Sequence, residues 1–371
     1  MRILSTGAYR LFFPAAGLFA ALTIPLWLWI WSGGWPAWPL DGLRWHQHEM
    51  LFGYLGLALG GFLLTAVPNW TSRPALAGCP LVALFLLWVV GRVGFAVLPD
   101  GAGQIVCVML YPVILAVVVC RELWVAGNRR NLPIAGMVWL FVVADALFLA
   151  GFQDFALRLG FALSVVMTTL VGGRVTPAFA RNWLKARGSG VGIPEFGVID
   201  KLAMAAVGLA AIVWVGWPDH SLGIITAAIA AVLLLLRLLR WKFWAVASEP
   251  LLLALHAGYA WIVISLALLA AQNAGLVEPV QVLHAMGAGA VGGMTLIVMM
   301  RAILGHANRP IQGTAMDRVL LVCVHLGAAL RVLAPATEAQ ALLIELSGVL
   351  WALGFALFFL RYGRIALLPR L

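Results

Sequence analysis

Residues Leu43–Gly61 read "LRWHQHEMLFGYLGLALGG": two histidines and a glutamate, then an apolar run broken by glycines. A helix needs about 20 apolar residues to cross ~30 Å of hydrocarbon, and this run is close to that length. The rest of the chain has the same character. Its 371 residues are 64% hydrophobic and 10% charged, with a mean hydropathy of +1.02. A soluble domain carries about 25% charged residues, so this composition cannot build a water-facing surface. The reading is an all-α polytopic membrane protein with twelve spans: 11–31, 47–67, 80–98, 103–120, 132–152, 157–177, 200–217, 223–240, 250–270, 280–300, 316–333 and 339–360. Barrel strands would be about half as long and would alternate. The first run follows Arg2 and Arg10 but lacks a small-residue cleavage site and continues to Trp31 and Trp35, so it reads as a retained helix. A single membrane domain, 1–371, is expected, and the longest polar connection is 178–199.

Charge sets the expected topology. With the N-terminus inside, 20 of the 24 Lys and Arg fall in inner loops or inner helix ends, leaving Arg44, Arg92, Arg158 and Arg331 outside. Such a bias predicts both termini in the cytoplasm. It also accounts for the net charge of +10 without a nucleic-acid partner. The four cysteines form no CxxC pair and read as packing residues.

Gly-Gly pairs recur at 60–61, 172–173 and 292–293, four spans apart each time. A fixed period predicts three four-helix arcs. The haem–copper oxidase core has that arrangement, which this chain resembles in helix count and period alone.

Ionisable groups in hydrocarbon are costly and mark functional sites. By depth, His46 and His48 sit at the outer end of the second span and His284 near the outer end of the tenth. His325 is mid-span, His256 lies on the inner side of centre, and His306 is in an inner loop. At 100° per residue His46, Glu49, Gly53, Gly56 and Gly60 share one stripe, while His48 points the other way. The two histidines therefore serve different sites if the segment is helical, and can share a metal if it is extended. The glycine stripe leaves space for a flat macrocycle or for a neighbouring helix. Small residues also follow His284, so two histidines facing across a gap would make a bis-imidazole haem site. Imidazole suits copper as well. Glu49 is placed to orient His46, and Asp145 to pair with Arg92 or Arg158. Arg174 and Arg301 read as basic end anchors or as partners of an anionic group such as a propionate.

The segments "WHQHEMLFGY" (45–54), "GGFLLTAVPNWTSRP" (60–74), "GGRVTPAF" (172–179) and "GGMTLIVMMRAILGHANRP" (292–310), the last preceded by His284, resemble the NnrS family of bacterial membrane proteins. The resemblance covers essentially the whole chain. It implies a bacterial inner-membrane protein that contains b-type haem and copper and is tied to nitric-oxide stress and denitrification. Residue by residue it points to His46, His48 and Glu49, then His284, Arg301, Gly305 and His306, and to Arg174 and Pro177. Ala307 and Asn308 depart from the more polar turn expected there.

Three functions follow as expectations: a haem and copper protein that handles or senses nitric oxide, a secondary transporter of a small solute or metal ion, and a sensing partner without chemistry of its own. The first includes a redox metalloprotein acting on nitric oxide. The chain has no haem-attaching CxxCH, so turnover would draw on an external electron donor.

Overall fold

The structure, a computed structural model, describes residues 4–34 and 41–368. Arg2, Trp35 and Arg370 lie outside the described residues. Among the described residues all regular structure is helical, and twelve helices are long and apolar enough to span a membrane. They are α1 (Ala8–Trp31), α2 (Gly42–Thr71), α3 (Cys79–Val97), α4 (Ala102–Val125), α5 (Leu132–Leu149), α6 (Gln153–Ala186), α7 (Val198–Gly216), α8 (Leu222–Arg240), α9 (Pro250–Asn273), α10 (Pro279–His306), α11 (Ala315–Ala336) and α12 (Gln340–Leu367).

Two boundaries differ from the sequence expectation for identifiable reasons. Helix α2 begins a turn early because Asp41 caps it, its Oδ1 accepting from the Leu43 amide at 2.9 Å. Helix α6 runs on through Pro177 to Ala186, so the expected loop 178–199 is helical over its first half. Its "ARNWLKA" stretch consists mainly of good helix formers, and Arg187 stacks over Trp183 just past the helix end.

Three spans contain wide π-helical turns: residues 49–54 of α2, 285–292 of α10 and 359–363 of α12. In α2 and α10 the wide turn starts within a few residues of the histidines. Such turns disturb the regular backbone ladder and recur at functional sites. Aromatic donors from neighbouring helices bond carbonyls in or just past them. Trp88 Nε1 donates to Gly53 at 3.0 Å, Tyr111 Oη to Gly56 at 2.9 Å, and Trp351 Nε1 to Ala288 at 3.2 Å. In a dry environment such bonds satisfy backbone groups that water cannot reach.

The chain divides into two compact units. One comprises residues 4–160, 299–310 and 355–368, the other 161–298 and 311–354. In the first unit α2 is central, packed by α1 and α4. A side chain at Gly61 would meet Phe12 and Phe13, and one at Gly60 would strike the Tyr111 hydroxyl. Arg10, buried near the start of α1, donates from Nη1 to the Ala366 and Leu368 carbonyls, the latter at 2.8 Å, and so caps the end of α12. In the second unit α9 crosses α10 closely, with Gly258 against the Met294 backbone.

Candidate functional site

The deepest polar feature of the first unit is built around His48, which is wholly buried. Its Nε2 lies 2.9 Å from Asp145 Oδ1 and its Nδ1 3.2 Å from Glu49 Oε1. Arg92 donates from Nη1 to the same Glu49 oxygen at 2.8 Å. Phe95 stacks on the imidazole, with centroids 3.9 Å apart. The cluster therefore joins α2, α3 and α5. Two carboxylates, a guanidinium and an imidazole close on one another, as buried charges must in hydrocarbon.

This arrangement changes two expected pairings. Both ring nitrogens of His48 face carboxylates. Asp145 pairs with His48 rather than with Arg92 or Arg158. Glu49 bonds His48 and Arg92 rather than orienting His46. The wide turn that begins at Glu49 takes about one more residue per turn than an α-helix, so stripes counted at 100° per residue drift off their face.

The glycines of α2 and α10 do not leave an open groove. On α2, Gly53 abuts the Glu49–Arg92 pair, while Gly60 and Gly61 receive Tyr111 and Phe13. On α10, Gly287 faces Phe161, Gly289 faces Trp261 and Gly292 faces Trp351. Of the two uses foreseen for the stripe, the structure shows helix packing.

The remaining histidines differ in which nitrogen they commit. His284, in α10, donates its Nδ1 proton to the Val280 carbonyl at 2.8 Å. His256, buried in α9, does the same to Leu252 at 2.8 Å. A carbonyl-bound Nδ1–H leaves the lone pair on Nε2, the state in which histidines ligate metals. His46 is half-buried with its ring flat on Trp27, centroids 4.7 Å apart and planes 9° from parallel. His325 differs: Trp261 Nε1 donates to its Nδ1 at 3.1 Å. The other ring nitrogen, Nε2, is buried without a hydrogen-bond partner among the described residues. His306 stacks on Tyr9 at 5.0 Å, and its carbonyl accepts from the Tyr9 hydroxyl at 3.3 Å. Arg174 is exposed and Arg301 half-buried. His46 and His284 belong to different compact units.

Among the described residues no group of three or more His, Cys, Asp and Glu side chains comes together as a metal site. The residues present do not fit a copper centre of that kind.

A second buried charge cluster, not foreseen from sequence, stands in the second unit. Arg237 is 1% exposed and reaches three ways: Nε to Asp200 at 2.7 Å, Nη1 to the Tyr259 hydroxyl at 2.8 Å and Nη2 to the Gly173 carbonyl at 3.3 Å. Arg240 holds the other Asp200 oxygen at 3.1 Å. The fork of the guanidinium locks α6, α7, α8 and α9 together. The sequence signals for it were Asp200 beside Lys201 at the start of one apolar span and Arg237 with Arg240 at the end of the next.

No curated protein matches this chain. The family described as NnrS protein matches residues 3–370, essentially the whole length, and the chain belongs to that family.

Proposed function

We propose that the protein is a haem-binding protein of the bacterial inner membrane that takes part in the response to nitric oxide. Family membership supports the nitric-oxide theme. The observation that carries the haem reading is the His284 Nδ1–H bond to Val280, which fixes the ring and leaves Nε2 as the donor nitrogen. When bound, haem supplies a redox-active iron with affinity for nitric oxide. The chain's own part is to hold the imidazole: the wide turn 285–292 begins directly after His284, and Trp351 bonds within it.

His46 is the candidate ligand of the first unit, its plane set by Trp27. His48, Glu49, Asp145 and Arg92 support the helix that carries it rather than binding the cofactor. The aromatic and aliphatic side chains around His48 keep water from the cluster, as its burial shows. Copper has no three-residue site among the described side chains and is not part of this proposal. The bias of Lys and Arg toward one side supports cytoplasmic termini. Arg301 then serves as a basic anchor near the inner end of α10, and Arg174 does the same from the inner half of α6.

The test is an optical spectrum of the purified protein, expressed with ample haem. A Soret band is expected in the wild type and its loss in His284→Ala. A wild type without a Soret band ends the haem reading.

A further inference from the structure

We propose that the basic end of α8, together with the start of α7, is a binding site for an anionic phospholipid of the membrane. Lys201, Arg240 and Lys242 hold its phosphate, and the aliphatic face of α8 takes its acyl chains. The proposal is independent of the haem reading. Helix α8 ends at Arg240, and Lys242 follows in a left-handed conformation with a φ of 52°. A residue in that conformation stops the helix and turns the chain. Phe243–Val246 then form a short 3-10 turn. Within it the Phe243 and Trp244 rings meet edge to face, with centroids 5.3 Å apart, and both are exposed, Trp244 by 58%. Such amphipathic rings sit at headgroup level, where one end is apolar and the other wet. Along α8, Val232, Leu235, Leu236 and Leu239 are exposed, as lipid-facing residues are.

The carboxylates nearest these cations are turned inward. Asp200 accepts from Arg237, from Arg240 and, at 2.9 Å, from the Gly197 amide. Glu249 is buried, its Oε1 accepting from the Gly313 amide at 2.8 Å and the Leu251 amide at 3.3 Å. Glu195 is exposed in the loop before α7. The ion pairs among the described residues include none of Lys201, Lys242 and Glu195. Arg240 meets Asp200 through Nη1 and keeps 26% of its side chain exposed. That bond brings the end of α8 against the first turn of α7, where Lys201 follows Asp200 and is exposed. The Trp241 and Lys242 amides bond the Leu238 and Leu239 carbonyls, which covers part of the negative end of the helix. Three cations thus border an exposed aromatic pair and an aliphatic face. A free phosphate matches the cations alone, whereas an anionic phospholipid matches the whole surface.

The whole purified protein is reconstituted in phosphatidylcholine vesicles containing a minor fraction of phosphatidylglycerol. Bromine, which quenches tryptophan, is carried on the acyl chains of one lipid or the other, with equal amounts of brominated lipid. The quenching that belongs to Trp244 is the difference between the wild type and Trp244→Phe. Phosphatidylglycerol is expected to be enriched beside Trp244 by about 5- to 25-fold over its share of the bilayer, at about fivefold for each of the two lysines. Lys242→Asn removes one charge with a residue that tolerates left-handed backbone, and should lower the enrichment about fivefold. Adding Lys201→Gln should remove most of the rest. Equal quenching of Trp244 by the two lipids in the wild type overturns the proposal. So does an enrichment that survives the double variant unchanged. Loss of the enrichment with inorganic phosphate, but not with sodium chloride at the same ionic strength, assigns the cations to free phosphate and overturns it as well.

Discussion

Removing Asp145 isolates one face of a wholly buried imidazole, and the size of the effect follows from the contacts. His48 Nε2 sits 2.9 Å from Asp145 Oδ1, and Asp145 has 4% of its side chain exposed. Breaking a buried pair by deleting one partner costs about 3–5 kcal/mol. An ordinary interhelical hydrogen bond in a bilayer contributes only ~0.6 kcal/mol on average. The lower end of the first range is expected here, because Glu49 and Arg92 remain to hold His48 in place. At about 2–4 °C per kcal/mol for a body of 150–250 residues, Asp145→Ala should lower the melting temperature by roughly 6–12 °C. Asp145→Asn keeps an acceptor and should cost about half as much. The assay is thermal unfolding of the detergent-solubilised protein at one scan rate, run on His48→Ala, Asp145→Ala and the double variant. A coupling energy of about 1.5 kcal/mol or more is expected. Additivity within ~0.5 kcal/mol, or an Asp145→Asn variant as stable as the wild type, would refute the cluster as a cooperative unit.

Gly60→Ala places a methyl group on the Tyr111 hydroxyl and should cost about 1–3 kcal/mol by overpacking; adding Tyr111→Phe should recover part of the loss in the same melt. Arg237→Lys should destabilise the protein nearly as much as Arg237→Ala, by about 3 kcal/mol, because an ammonium cannot bond Asp200, Tyr259 and Gly173 at once. Cys79 is exposed at the start of α3, on the side that the charge bias assigns to the cytoplasm. A membrane-impermeant maleimide should therefore label it in inverted vesicles and not in intact spheroplasts.

The twelve spans were legible because hydrocarbon thickness imposes length and composition directly on the sequence, with no long-range information needed. The charge clusters were not legible in the same way. His48 and Asp145 stand 97 positions apart, and an isolated Asp in an apolar helix names no partner. The glycines were legible as close-packing positions, but what fills them depends on Tyr111, Phe13, Trp261 and Trp351 from other helices. The wide turns carry no signature in "EMLFGY" or "AMGAGAVG". They displace the residues after Glu49 from a stripe counted at 100° per residue, while the partner of Glu49 itself was hidden because Arg92 comes from another helix. The choice among histidine ligands was beyond sequence for a simpler reason: it turns on which ring nitrogen meets a carbonyl, an indole or a carboxylate.

The cluster at His48 also constrains biosynthesis. Helix α2 emerges from the ribosome carrying a histidine and a glutamate that lipid does not tolerate alone. Arg92 follows in the next span, so α2 and α3 can enter the bilayer as a hairpin with Glu49 already neutralised. Asp145 arrives two spans later. Of the two carboxylates that close on His48, one is its chain neighbour and the other is available only once α5 has been made.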